Sequence, residues 1–171
     1  MKTLVAYLSQ TGNTKKVAEA IYGEIDGPKD VMPFSQINSL DGYDIAFLGF
    51  PVHGEGPDKK EVGLLEKYCT GGKKVALFIT HASPEGADET KGWLKKFEQA
   101  ARCATIVDTF DCQGQLAGGI KFFMSIWPNA TYRRWAKADN SHGQPDEARL
   151  ERARAFSRDV MNRLREAQAG A

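Results

Sequence analysis

Val5-Ala6-Tyr7-Leu8-Ser9-Gln10-Thr11-Gly12-Asn13-Thr14 joins a short apolar run to the start of an amphipathic stretch. Thr3 to Leu8 (TLVAYL) reads as a strand. Thr14 to Ile25 carries Val17, Ala18, Ile21, Tyr22 and Ile25 at helical spacing before Gly27-Pro28 stops it. Ser9 to Thr14 therefore falls at a strand-to-helix junction. There the first helical turn offers unpaired N–H groups and a partial positive charge, Ser9, Thr11 and Thr14 add hydroxyls, and Gly12 lets the backbone come close. Such a turn cradles a phosphate monoester without lysine or arginine. GxxxxGK[ST] and GxGxxG are both absent here, and no cysteine stands where a Cys-x5-Arg phosphatase loop would need one. A turn that merely caps the helix is the bland reading of the same residues.

Working outward, further apolar runs fall at Ile45 to Phe50, Val75 to Thr80 and Ala104 to Phe110, with a weaker one at Asp30 to Phe34. Amphipathic stretches separate them. One begins after Pro57, with Val62, Leu65 and Tyr68 on its inner stripe, and ends at Gly71-Gly72. Another covers Ala87 to Ala101, with Trp93, Leu94, Phe97 and Ala101 facing in, and the last runs from Pro145 to Ala167 through Leu150, Ala153, Phe156, Val160 and Leu164. Near-continuous apolar strands alternating with helices predict an α/β fold with a doubly wound parallel sheet, here as one domain over residues 1–171. The segment 113–141 stands outside this frame. It begins glycine-rich and then holds Phe122, Phe123, Trp127, Tyr132 and Trp135, so short helices or a function of its own are expected there.

The run from Val5 to Thr14, continuing to Ala18 and Ile21, resembles the N-terminal signature of the flavodoxin family, with Ala6 where a larger apolar residue is usual. The resemblance implies a flavodoxin-like five-stranded parallel sheet of order 2-1-3-4-5, helices on both faces, and FMN held noncovalently at the carboxyl ends of strands one, three and four. By the same resemblance Ser9, Gln10, Thr11, Gly12, Asn13 and Thr14 hold the phosphate. The ring falls to two loops, after strand three with Pro51, Val52, His53 and Gly54, and after strand four with Thr80, His81, Ala82, Ser83 and Gly86. The backbone around His53-Gly54-Glu55 is the candidate contact for flavin N5, because glycine permits peptide rearrangement. His53 and His81 are the candidate catalytic residues, since two of the three histidines fall in these loops; a merely solvated loop histidine is the alternative.

Two departures from the family pattern bear on role. Neither ring loop contains Trp, Tyr or Phe to stack on the flavin, and the chain has 23 Lys+Arg against 22 Asp+Glu where electron carriers of this family are typically acidic. The balance is uneven, with 13 basic and 16 acidic residues over 1–120 and 10 basic and 6 acidic over 121–171. The expected function is an FMN redox protein carrying electrons to a protein partner or reductase. The alternatives are an FMN-dependent reductase acting on a small molecule such as a quinone, and a flavin-free protein-binding module. A response regulator is excluded by the absence of an acidic pair in Leu8-Ser9-Gln10.

The 113–141 segment has three readings: a lid placing Trp127 or Trp135 near the ring, a homodimer contact, or a local apolar plug. Gln113 is a candidate substrate contact, and Cys112 reads as a small hydrophobe or, alternatively, a redox thiol. The arginines at 149, 152, 154, 158, 163 and 165 read as a solvated helix face or as a dock for an acidic redox protein. A net charge of +1 supplies no field for nucleic acid, and the apolar runs, such as Val75 to Ile79, fall far short of a membrane span. Three widely spaced cysteines without a CxxC pair predict neither a disulfide scaffold nor a metal site, and no leader pattern opens the chain, so a reducing, cytoplasmic setting is expected.

Overall fold

The computed structural model describes residues 1–170, apart from the side chains of Thr131 and Trp135. In chain order the elements are β1 (Thr3–Tyr7), α1 (Asn13–Glu24), β2 (Lys29–Pro33), β3 (Ile45–Pro51), α2 (Lys59–Tyr68), β4 (Lys74–His81), α3 (Asp88–Ala100), β5 (Thr105–Gln113), α4 (Gly118–Ile126), α5 (Ala130–Ala138) and α6 (Glu147–Ala169). The strands form one parallel sheet in the order β2-β1-β3-β4-β5, the flavodoxin-like order expected from the resemblance.

Period-two alternation distributes each strand between two cores. Leu4, Ala6, Leu48, Phe50, Leu77 and Ile79 face Leu65 of α2 and Phe97 of α3. Val5, Phe47, Ala76 and Phe78 face Val17 and Ile21 of α1 and Phe156 and Val160 of α6. Both sheet faces are thus covered, which is why these strands read as continuous apolar runs. Phe47, Phe50, Phe78 and Phe97 are among the largest fully buried side chains, and each burial stabilises by about 1.5–3 kcal/mol. Gly49 makes room for one of them, because a Cβ there would lie 2.1 Å from the Phe78 ring.

Strand five runs longer than its apolar stretch. The expected end at Phe110 is extended through Asp111-Cys112-Gln113, whose backbone pairs with Ile79, Thr80 and His81 of β4. Sheet pairing satisfies these amides whatever the side chains are, so hydrophobicity alone stops short of the true end. The strand ends consequently align: Pro51 lies opposite Thr80, and Thr80 opposite Cys112.

The 113–141 segment folds as α4 and α5, which pack chiefly on one another. Its base is tied down by Lys121 Nζ to Asp139 Oδ2 at 2.7 Å, and by Leu116 N–H to the buried Ser141 Oγ at 2.8 Å. No residue of α4 is buried, and Phe122 and Ile126 are 66% and 61% exposed. This corrects the plug reading, because the described aromatic side chains of the segment face solvent rather than a local core. Trp135, one of the two proposed lid residues, lies outside the described side chains. Among the described residues no helix is long and apolar enough to cross a membrane.

Candidate functional site

The loops after β1, β3, β4 and β5 meet at the carboxyl edge of the sheet. At α1 the N-cap is Gly12, held at φ 92° with no side-chain cap. The first helical amide with a backbone partner is that of Lys16, which donates to Gly12 O at 3.0 Å. The amides of Asn13, Thr14 and Lys15 have no acceptor among the described residues, so three aligned donors and the positive end of the helix dipole remain for an anion. Nothing lies within 4 Å of where a Gly12 Cβ would stand, leaving space in front of them. Ser9 Oγ closes the turn by accepting the Gly12 N–H at 3.1 Å, while Gln10 and Thr11 stay exposed. These groups fit a phosphate monoester such as that of FMN.

Two cradle side chains are engaged elsewhere. Thr14, read above as a hydroxyl donor to phosphate, is buried and shares a 2.9 Å hydrogen bond with Thr80 Oγ1, tying the first turn of α1 to the end of β4. Its backbone amide stays with the cradle. Asn13 Nδ2 donates to Gln115 O at 2.8 Å, and a Cβ on Gly114 would meet the Asn13 side chain at 2.9 Å, so the loop after β5 closes against the cradle only because residue 114 is glycine.

In the loop after β3, Val52 N–H donates to Thr80 O at 2.8 Å and His53 N–H to Gly56 O at 3.0 Å. That short turn requires the left-handed φ of 68° at Gly54. Asp58 caps α2, its Oδ1 accepting the N–H groups of Lys60 and Glu61 at 2.8 and 3.0 Å, and Glu61 Oε2 accepts the Asp58 N–H at 2.8 Å. The remaining Glu61 oxygen, Oε1, lies 2.7 Å from His53 Nδ1. Glu61 is 0% exposed, and burial pushes its carboxyl above the usual range against the opposing pull of the Asp58 amide and His53. The donor atoms of His53, Asp58 and Glu61 lie within 4.8 Å of one another, but three of the four carboxylate oxygens are already committed to the helix cap and to His53. Sequence reading missed Glu61. The pattern Asp58-Lys59-Lys60-Glu61, a capping box, was the available signal.

In the loop after β4, His81 is 4% exposed, with Nδ1 3.0 Å from Ser83 O and Nε2 2.9 Å from Asp111 Oδ2. Its ring also meets the edge of Trp93 at 6.2 Å. Both nitrogens of His81 are therefore engaged within the protein. Glu85 is held by two arginines of α6: Arg152 hydrogen-bonds its Oε1, and Arg149 Nε lies 2.8 Å from the same oxygen without the alignment of a hydrogen bond. Ala82 O accepts from Gln113 Nε2 at 3.2 Å, and the same amide reaches Asn140 Oδ1 at 2.7 Å. Gln113, expected as a substrate contact, is thus a buried brace between the ring loop and the base of the α4–α5 hairpin. Cys112 is fully buried, and burial pushes its thiol up to about 12, first through desolvation and then through the nearby Glu85, which removes the redox-thiol reading.

A hollow of about 230 Å³ lined by Leu40, Tyr43, Asp44, Ala46 and Gly72 to Lys74 opens at the amino edge of the sheet, opposite the loops. Convergent donors, not volume, therefore mark the site.

Residues 4–158 match the family model described as a flavodoxin domain. A flavodoxin-like domain-containing protein, BilS, of Clostridioides difficile is 33% identical over 172 residues, covering 94% of this chain and 97% of its own. A flavodoxin of Clostridium beijerinckii is 34% identical over 104 residues, 56% of this chain and 72% of that protein. Among solved structures, oxidised flavodoxin 2 of Bacillus cereus shares the fold with a TM-score of 0.61 at 22% identity, over 95% of this chain and 99% of that one. With the strand order, the uncapped first helix and these matches together, the chain belongs to the flavodoxin domain family.

Proposed function

We propose that this chain is an FMN-binding electron carrier, one domain throughout, that serves a redox protein or reductase. The observation that supports it most is the uncapped start of α1, where the amides of Asn13, Thr14 and Lys15 converge on open space beside Ser9 and Gly12. FMN supplies one- and two-electron chemistry when bound, and the protein supplies position and electrostatics. Ser9 to Thr14 hold its phosphate. Pro51 to Gly54 and Thr80 to Ser83, with Gly86, flank its ring through backbone groups. Purified protein mixed with micromolar FMN quenches flavin fluorescence and retains the yellow colour through gel filtration; free flavin eluting separately overturns the reading.

The α4–α5 hairpin is the docking surface. It joins the cofactor edge through Gln113 and Asn13, exposes Ile120, Phe122, Phe123, Ile126 and Trp127, and carries Arg133, Arg134 and Lys137, besides the Asp139-paired Lys121, with no acidic residue between Gly118 and Ala138. An apolar centre with a basic rim suits a redox protein whose face is apolar and acid-rimmed. Self-pairing would bring like charges together, so a homodimer through this face is the weaker reading. The α6 arginines are less suited to docking, because 149, 152, 154, 158, 163 and 165 each lie against an acidic residue of this chain. The setting is reducing and cytoplasmic, in keeping with three free cysteines.

A second reading, direct reduction of a small molecule such as a quinone, is favoured by one observation: the ring loops supply no aromatic cover. Oxidation of NADH or NADPH with quinone by the protein alone, at steady state, supports that reading. Electron uptake from NADPH only through an added reductase supports the carrier.

A further inference from the structure

Cofactor holding leaves the His53–Glu61 pair unexplained. A capping box works with glutamine as well as glutamate and works at the surface. Here the last residue of the box is a carboxylate with 0% exposure, and burying a carboxylate is costly unless its oxygens are fully partnered. One oxygen takes the Asp58 amide and the other takes His53 Nδ1 at 2.7 Å. Glu61 so fixes both the orientation of the imidazole and the proton on Nδ1. The His53 side chain is 29% exposed, and its Nε2 has no partner among the described residues. That nitrogen sits in the loop that flanks the ring in the reading above, on which this inference rests.

We propose that His53 and Glu61 form a proton-holding pair coupled to electron uptake, with His53 Nε2 as the atom that gains and loses the proton and Glu61 as the positioning residue. When one electron enters the site from a reduced redox protein, one proton from solvent binds Nε2 and offsets the added negative charge. When the electron leaves, the proton returns to solvent or accompanies the electron onto the acceptor, so charge balances in both directions. The charged groups that reach the ring are Asp58, the N-cap of α2, and Glu61 in its first turn; Glu55 lies on the same loop, and Lys96 of α3 donates to its backbone carbonyl at 2.7 Å. Asp58 Oδ2 stands 3.7 Å from Nδ1. Two carboxylates thus face a proton on the imidazole locally.

The test compares wild type, His53→Gln and Glu61→Gln. In the apoprotein, ¹⁵N NMR of the histidine side chains shows His53 with a protected Nδ1–H, which Glu61→Gln, whose amide N–H₂ faces that nitrogen while its oxygen caps Asp58, shifts toward the Nε2–H form. In the FMN-loaded proteins, an indicator dye in weak buffer counts protons taken up per electron during reductive titration. Wild type takes up as much as one proton more than His53→Gln within a bounded pH window, which steepens the pH dependence of its reduction equilibrium by up to about tenfold per pH unit, or ~59 mV for one electron. Glu61→Gln moves that window while changing FMN affinity less than about threefold, a displacement that loss of packing would not produce. Equal proton counts in all three proteins overturn the proposal and leave FMN binding standing. Failure of wild type to bind FMN overturns both, and the apoprotein spectrum then reports separately whether Glu61 locks the imidazole. Should His53→Gln fail to fold, Glu61→Gln against wild type carries the same comparison.

Discussion

His53 and His81 occupy matching places, at or just past the carboxyl ends of neighbouring parallel strands, and each belongs to a loop expected to flank the same ring. Their surroundings differ. His81 is buried, with one nitrogen on a loop carbonyl and the other on Asp111 of the adjacent strand, so it staples β4, β5 and the intervening loop together. His53 is half-buried and pinned through one nitrogen only, and the other has no partner among the described residues. The same residue type at equivalent topological positions is thus a structural brace in one loop and, in the proposal above, the proton-carrying group in the other. The deciding factor is the number of acceptors that the fold brings to the imidazole.

The contrast breaks most readily at His81. His81→Gln cannot reach both Ser83 O and Asp111, which the imidazole meets from opposite sides of one ring, so one of the two contacts is lost, and urea denaturation should show a loss of about 2–3 kcal/mol. Asp111→Asn tests the same staple from its other end. The amide keeps a neutral acceptor for Nε2, and the expected loss is about 1–2 kcal/mol. A His81→Gln protein as stable as wild type would erase the distinction between the loops.

At Glu61 the expected effect is smaller and depends on pH. Glu61→Gln keeps one acceptor of the capping box and should shift stability by about 1 kcal/mol. Because burial raises the Glu61 carboxyl above its ordinary 4.5, the native state binds more protons than the unfolded chain in that window. The wild-type advantage is therefore fully present below the ordinary value and declines as pH rises through the raised one. Across this range wild type should lose stability relative to Glu61→Gln as pH rises; a constant offset would contradict the assignment. At His53 itself, His53→Gln retains one N–H for Glu61, and the cost should stay within about 1 kcal/mol by the same assay.

The smallest effect on folding is expected in the hairpin. Phe123 and Trp127 touch, with ring centroids 4.5 Å apart and planes tilted by 39°, yet are 51% and 42% exposed, so Phe123→Ser or Trp127→Ser should each change stability by less than about 0.5 kcal/mol. Either substitution should slow electron delivery to a protein acceptor while leaving FMN affinity unaltered. A loss of fold instead would restore the plug reading.

How much of this was legible depended on whether a signal was local. Ser9 to Thr14 could be read as a cradle because a strand end, a glycine and a helix start are neighbours in sequence, and the backbone alone makes the site. Glu61 could be read as a cap residue from its spacing to Asp58, but not as buried, since its imidazole partner is eight residues away across a turn whose path depends on Gly54 and Gly56. Gln113 looked available because it is polar and lies past an apolar run. Pairing with His81 in the sheet turned it inward, toward Ala82 and Asn140. The aromatic residues of 113–141 admitted a buried reading beside a lid and a dimer contact, and the structure exposes Phe122, Phe123, Trp127 and Tyr132, on helices that pack chiefly on one another above a polar base.

By itself the sequence determined the layered α/β architecture, the strands at the centre of the sheet and the backbone cradle at the start of α1, because hydrophobic period and turn chemistry are written residue by residue. Only the tertiary structure decided which histidine is held through both nitrogens and which through one, where β5 ends, and that Cys112 and Glu61 are buried. Those properties belong to side chains brought together from distant segments, and the partners that settle protonation, burial and orientation are absent from any local window of sequence.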